Sequence, residues 1–346
     1  MNFKNIYKIF LKKFYVSIFL KEIFVKYKSC CWIEEGVNFD RRSYKVCCLY
    51  SAKGGGNTII EDNYNGHKIN WADVFDFKKK MKDLHKSGKI YPKCEGCIYL
   101  EDKDWADDHS KFSMINLDYW TKCNSRCRYC FTMTNKWKHN LFRNYHFLPI
   151  LKDMIENNLL KPENGVVSFG GGEVTLLKEF DEVLDLIIQQ GFPKIIIHSS
   201  AIKYSKSIEK GLENGSVQLI VSVDAGTKPL HKKIKQVNSY DKVWNNLLEY
   251  AKHQKFPNQV KTKYIVVPEI NDNLEEISLW LEKSKDYGIN SVIQEIESQW
   301  FYERREKPDL KIIELFEQTK NLADALKLEY SLYERAEHMM KFWKNQ

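Results

Sequence analysis

The chain has 346 residues, 43% hydrophobic and 14% aromatic, which is enough for a sizeable core and excludes a globally disordered chain. Its net charge of +8 is carried by lysines spread along the whole length, so there is no massed basic arm and no nucleic-acid partner is expected. No segment approaches the roughly 20 apolar residues of a membrane-spanning helix.

Residues 1–28 read as one amphipathic helix. Lys4, Lys8 and Lys12 recur at i,i+4, and Ile6, Ile9, Phe10, Phe14 and Phe24 offer an apolar face. The expectation is a terminal helix packed by its aromatics. The alternative is a basic helix resting on a membrane surface. The segment has no small-residue cleavage site, so a cytoplasmic protein is expected.

Nine cysteines follow, at 30, 31, 47, 48, 94, 97, 123, 127 and 130, and none beyond. An odd number in a long chain without an export signal predicts metal ligation rather than a disulfide framework. Residues 29–108 read as a small module with irregular periodicity. Its short strands are SYKVCCLY and NTIIED. Its one helix spans 70–88, with Asn70 placed to cap it and Gly88 to stop it. The GGGN at Gly54 reads as a turn, because the Lys-Ser/Thr of a phosphate loop is missing.

From 109 to 305 strands and helices alternate. Strands are predicted at 112–120, 165–171, 193–201, 217–225, 260–269 and 291–298, as Val/Ile-rich runs suited to parallel strands buried on both faces. Helices separate them, and two more complete the chain over 306–346. Six β–α units predict an α/β fold, a partial (β/α)6 TIM-like barrel with right-handed crossovers. Reactive groups in such barrels gather at the C-terminal ends of the strands.

Those ends carry the chemistry. After the first barrel strand, Cys123, Cys127 and Cys130 stand in the pattern C-x-x-x-C-x-x-C, three thiols for a centre that keeps one position open. After the second comes SFGGGEVTL, where Gly170, Gly171 and Gly172 let backbone approach closely and Glu173 offers a carboxylate for an ammonium group. After the third stand His198, Ser199 and Ser200. After the fourth stand Ser222 and Asp224, suited to ribose hydroxyls or a cationic ligand. Glu295 and Glu297 alternate on the sixth strand toward one face, read as the pocket side because unpaired carboxylates are rarely buried under helices. His198, Glu295 and Glu297 are the candidate catalytic groups.

The cysteine triplet, with Tyr129 before its last cysteine, and the Gly171-Gly172-Glu173 run resemble the radical S-adenosylmethionine (SAM) superfamily over about residues 110–300. Many members have proline where this chain has Val174. The resemblance implies a 4Fe–4S cluster on Cys123, Cys127 and Cys130, with the amino and carboxylate groups of SAM on the fourth iron. It implies reductive cleavage of SAM to a 5′-deoxyadenosyl radical that abstracts a substrate hydrogen. Gly171, Gly172 and Glu173 are expected at the SAM amino group, Ser222 with Ser200 or Asp224 near the ribose, and the backbone at Tyr129 and Phe131 near adenine.

The upstream cysteines resemble the auxiliary-cluster modules called SPASM and twitch, here N-terminal to the core. That implies a second 4Fe–4S cluster on Cys31, Cys47, Cys94 and Cys97, with Cys30 and Cys48 as buried thiols. Within each adjacent pair the sequence leaves the choice open, and a structural zinc is the alternative. The expected outcome is oxidation, epimerisation or bond formation on a small molecule or sugar conjugate, with flavodoxin or ferredoxin as reductant. The alternatives are maturation of a ribosomal peptide, and a non-catalytic two-cluster electron carrier. Three helices and a β-wing for leader binding are not read at the N-terminus.

Overall fold

The computed structural model describes residues 26–40, 44–47, 58–60, 69–97, 99–105, 110–130, 146–298, 300–301 and 309–343. Most of the predicted terminal helix, together with Cys48 and Phe131, lies outside them.

Strand β1 (Lys26–Ser29) leads through α1 (Cys31–Glu35) into β2 (Gly36–Phe39), β3 (Tyr44–Lys45) and β4 (Thr58–Ile60). Helix α2 (Trp71–Lys86) and β5 (Glu101–Asp104) complete the N-terminal part. The alternating part then runs β6 (Met114–Leu117), α3 (Leu148–Glu156), β7 (Val166–Phe169), α4 (Phe180–Gln189) and β8 (Lys194–Ser199). It continues with α5 (Lys206–Asn214), β9 (Val217–Ser222), α6 (Lys228–Lys235), α7 (Tyr240–Lys252) and β10 (Val260–Val266). Helix α8 (Leu274–Asp286), β11 (Ser291–Ile296), α9 (Leu310–Ala325), β12 (Glu329–Leu332) and α10 (Glu334–Trp343) close the series.

The six predicted barrel strands, β6 to β11, lie side by side in chain order and pair in parallel. The sheet is wider than predicted. β2 adds in parallel beside β6, and β12 adds in parallel beside β11. The boundaries expected at 108 and 305 therefore do not bound the sheet, since each neighbouring segment gives it a strand. Of the helix expected over 1–28, only residues 26–28 are described, and they are not helical. Lys26–Ser29 is extended and pairs antiparallel with β5, with oppositely charged Lys26 and Asp104, and Lys28 and Asp102, facing across the ladder.

Helices form where capping and an apolar stripe coincide. Ser205 caps α5 by accepting from the Ile208 amide at 3.4 Å, and Gly215 in the left-handed region ends it. Asn273 caps α8 through the Glu276 amide at 2.9 Å. Asn70 holds the cap position of α2, but its side chain makes no capping bond there.

Residue parity divides each strand between two jobs. On β10, Val260, Tyr264 and Val266 belong to the core. Tyr264 packs on Trp280 of α8 at 5.1 Å, and Thr262 Oγ1 lies 2.8 Å from Ser284 Oγ. Lys261, Lys263 and Ile265 face the opposite, concave side. On β11, Gln294 reaches Thr319 of α9, so Glu295 faces the concave side, as the alternation predicts. Tyr264 is thus a packing residue.

The concave face is tied at its rim by Asn271. This residue is fully buried. Its amide nitrogen donates to the Asp224 and Ile265 carbonyls at 3.0 and 2.9 Å, and its Oδ1 accepts from the Val267 amide at 2.6 Å. Asn271→Ala strands three buried backbone groups, each worth about 1–3 kcal/mol when unpaired. We expect a loss of about 3 kcal/mol, read from the urea midpoint. A change below about 1 kcal/mol would contradict this account.

Candidate active site

The cysteine loop leaves the C-terminal end of β6 and is pinned from two sides. On one side, the Gly172 amide donates to the Trp120 carbonyl at 2.5 Å, and the Glu173 amide donates to the Lys122 carbonyl at 2.9 Å. Gly171 has φ +80°, and a Cβ there would be driven into the Trp120 carbonyl oxygen. The glycine run therefore lets the loops after β6 and β7 lie against each other, which a side chain would prevent. On the other side, the Arg126 and Arg128 amides donate to the Lys235 and Ile234 carbonyls, both at 3.0 Å.

A buried charge cluster backs this second side. Asp224 is fully buried and holds φ +61°. Its Oδ2 accepts from Tyr129 Oη at 2.5 Å and from Lys235 Nζ, and its Oδ1 accepts from the Ile265 amide at 2.7 Å. Lys235 Nζ also donates to Tyr129 Oη at 2.9 Å. Burial lowers the Lys235 pKa, but Asp224 and the nearby thiols outweigh it, so the ammonium is held charged. Asp224, expected near a ribose, spends its carboxylate on this internal brace. Tyr129 puts its side chain here too.

Glu173 is also buried, with 1% of its surface exposed. Its Oε1 accepts from Thr175 Oγ1 at 2.7 Å, Ser199 Oγ at 2.9 Å and the Thr175 amide at 3.2 Å. Its Oε2 accepts from the Ser200 amide at 2.6 Å. Four donors already hold the carboxylate expected at an ammonium group. Ser200 Oγ donates to Asn124 Oδ1 at 2.9 Å, which links β8 to the cysteine loop. Ser222 ends β9 on the concave side, in register with Lys263.

Burial pushes the Cys123 thiol up to about 11, with the Glu173 carboxylate adding to the rise. Cys127 is raised by burial and drawn down by Lys235. Glu173 thus stands near Cys123, and both Lys235 and Asp224 stand near Cys127.

Of the candidate catalytic residues, His198 is desolvated, and Lys263 adds a like charge, so its pKa falls to about 3 and it is neutral at pH 7. Its Nε2 lies 3.4 Å from Tyr333 Oη. Glu295 is fully buried, and its Oε1 accepts from the Ile296 and Ala336 amides at 3.0 and 3.2 Å. Desolvation raises its pKa. Glu297 caps the turn after β11, its Oε2 accepting from the Trp300 amide at 2.7 Å.

The upstream cysteines differ in burial. Cys30 is buried and packs with Cys94, Ile33, Val46 and Met81. Its thiol is raised by burial and, more weakly, by neighbouring Cys47 and Cys31. Cys31 is exposed, and its charged neighbours are Glu101 and Lys103. Cys30 is thus buried beside Cys94, while Cys31, expected among the ligands, opens α1 and is exposed; Ile33 of the same helix enters the core. Cys94 N–H donates to the Tyr91 carbonyl at 2.7 Å, and the Cys97 amide donates to the Cys94 carbonyl at 3.0 Å, a tight C-x-x-C turn.

Among the described residues, Glu209, Glu213 and His253 are the one group of three such side chains whose ligand atoms gather within 4.8 Å of one another.

A mostly parallel partial barrel with three thiols at its C-terminal mouth defines a class of cluster-bearing (β/α) proteins. Residues 118–281 match the model of the Radical SAM superfamily, and the chain carries a radical SAM domain. That superfamily works with a 4Fe–4S cluster and SAM. No curated protein sequence matches the chain. Among solved structures it is similar to Streptococcus suis SuiB bound to its precursor peptide SuiA, at 16% identity and TM-score 0.51, over 81% of this chain and 57% of that one. It is also similar to SuiB bound to SAM, at 16% identity and TM-score 0.52, over 78% of this chain and 57% of that one. At that identity the likeness is one of fold, and the chain spans a little over half the length of those structures.

Gly171→Ala forces a strained backbone and drives the two loops apart. We expect a folded protein that loses most of the iron held by the cysteine loop after reconstitution, read by iron and sulfide assay. Full iron retention would show that the close approach is dispensable.

Proposed function

We propose that the chain is an enzyme that cleaves SAM reductively at the cysteine loop and uses the product to take a hydrogen from an unactivated carbon of its substrate. The observation that supports this is the loop itself, with three thiols gathered on a segment braced from β7 and from α6. Cys123, Cys127 and Cys130 would hold the cluster, which supplies the electron when bound. Lys235 keeps a positive charge beside the thiolates. Glu173, Ser199 and Ser200 fix the end of β8 against the loop after β7. Ser222 faces the concave side, free of the brace that engages Asp224, and is the better candidate for a ribose hydroxyl.

The substrate enters the concave face of the sheet, and a small molecule or sugar conjugate is the class proposed. A peptide is the second reading, favoured by the shared fold with SuiB, whose structure holds a precursor peptide. Cys30, Cys47, Cys94 and Cys97 are proposed as ligands of a second cluster, in place of the set containing Cys31. Buried Lys78 lies near Cys30, where a positive charge suits an anionic group.

Two measurements test this reading. The anaerobically reconstituted chain, given dithionite and SAM, should form 5′-deoxyadenosine, and Cys127→Ala should abolish it. An intact cluster without that product would sink the enzyme reading. Iron should reach about eight per chain for two 4Fe–4S clusters. Cys30→Ser should lower it to about four while Cys31→Ser leaves it unchanged. The reverse result would restore Cys31 as the ligand.

A further inference from the structure

The concave face carries a charge that the site described above does not use. Lys263 projects into it from β10 and is 8% exposed. Among the described residues its ammonium has no hydrogen-bond acceptor. Its near neighbour is the ring of Tyr333, 4.8 Å from Nζ to the centroid. Arg335 follows two residues later, at the start of α10, with Nη2 3.5 Å from Glu295 Oε2 and its buried Nε unpartnered. The Glu295 Oε2 atom itself makes no hydrogen bond. With Asp224 engaged by Lys235, two cations thus share one carboxylate among the described residues, which leaves one positive charge over. Neutral His198, close to Tyr333, adds a polar ring and no charge.

A desolvated ammonium without an acceptor is costly, and a ligand oxygen relieves that cost. A cation–π contact compensates only in part. The excess of one charge matches a single carboxylate, and the guanidinium beside it offers the planar donor edge that carboxylates take. Lys235 already places an ammonium beside Cys127, so Lys263 is not needed there.

We infer that Lys263 and Arg335, with Tyr333 and His198 beside them, form a binding site for a carboxylate carried by the substrate. The substrate is then an acid, docked by its carboxylate against β10 and the start of α10. Calling the ligand the substrate rests on the proposed SAM site, whereas the charge imbalance does not.

The test uses the full chain with its clusters reconstituted. Succinate and its neutral diamide, succinamide, are titrated against wild type, Lys263→Met and Lys263→Arg, with binding read from the thermal shift. SAM affinity is measured in parallel by equilibrium dialysis. Far-UV circular dichroism and the iron–sulfur absorbance check that each variant is folded and loaded. Succinate but not succinamide should bind wild type, with about tenfold or greater weakening in Lys263→Met and partial recovery in Lys263→Arg. SAM affinity should be unchanged in both variants. Succinate that fails to bind wild type, or binds wild type and Lys263→Met equally, overturns the site. About a tenfold loss of SAM affinity in Lys263→Met overturns the assignment to substrate and gives the site to the carboxylate of SAM. Succinate binding without any SAM cleavage upholds the anion site and removes only the proposed reaction.

Discussion

The buried carboxylate of Asp224 is the point on which the catalytic mouth depends. An ionised group with no water around it is tolerable only if protein donors replace that water. Its donors come from three distant places: Tyr129 in the cysteine loop, Lys235 at the end of α6, and the Ile265 amide in β10. One side chain therefore fixes the loop, the helix and the strand relative to one another. Removing a partner from a buried pair of this kind costs about 3–5 kcal/mol, because the remaining charge is stranded. The left-handed backbone of Asp224 aims its carboxylate at all three, and Asn271 holds that backbone from behind.

The brace has an electrostatic consequence. Thiols bind metal as thiolates, and burial alone makes a thiolate harder to form. Glu173 worsens this at Cys123, and Lys235 relieves it at Cys127. The backbone bonds from Gly172, Glu173, Arg126 and Arg128 hold the loop that carries both thiols.

Much of this was legible in the sequence, for different physical reasons. The six central strands announce themselves because both faces are buried and the runs are unbroken in Val and Ile. β2 and β12 do not: GVNF and EYSL are four residues each, and partners across the sheet, not local pattern, make them strands. The cysteine spacing is a local signal and was readable. The partners of Glu173 and Asp224 are not, because a carboxylate at a strand end looks the same whether it faces a ligand or an internal donor. A signal existed for Asp224: Lys235 lies at the buried end of the next helix. A similar one existed for Lys263, since alternation in VKTKYIVV places two lysines on the face opposite Tyr264. Which of Cys30 and Cys31 is buried depends on where α1 begins, a boundary that sequence locates poorly.

The same alternation explains how one sheet supports both stability and chemistry. Tyr264 and Val266 lock β10 to its helix, while Lys263 between them points the other way. A slip of one residue would bury the lysine under α8 and expose the tyrosine to the cavity, so the core and the site enforce one register. The hydrophobic face supplies the stability, and that surplus lets the concave face carry an ammonium without an acceptor, and a carboxylate with one oxygen lacking a hydrogen bond, among the described residues. Groups left in that state favour a ligand that completes them, so the residues least comfortable in the fold are the ones best prepared for binding.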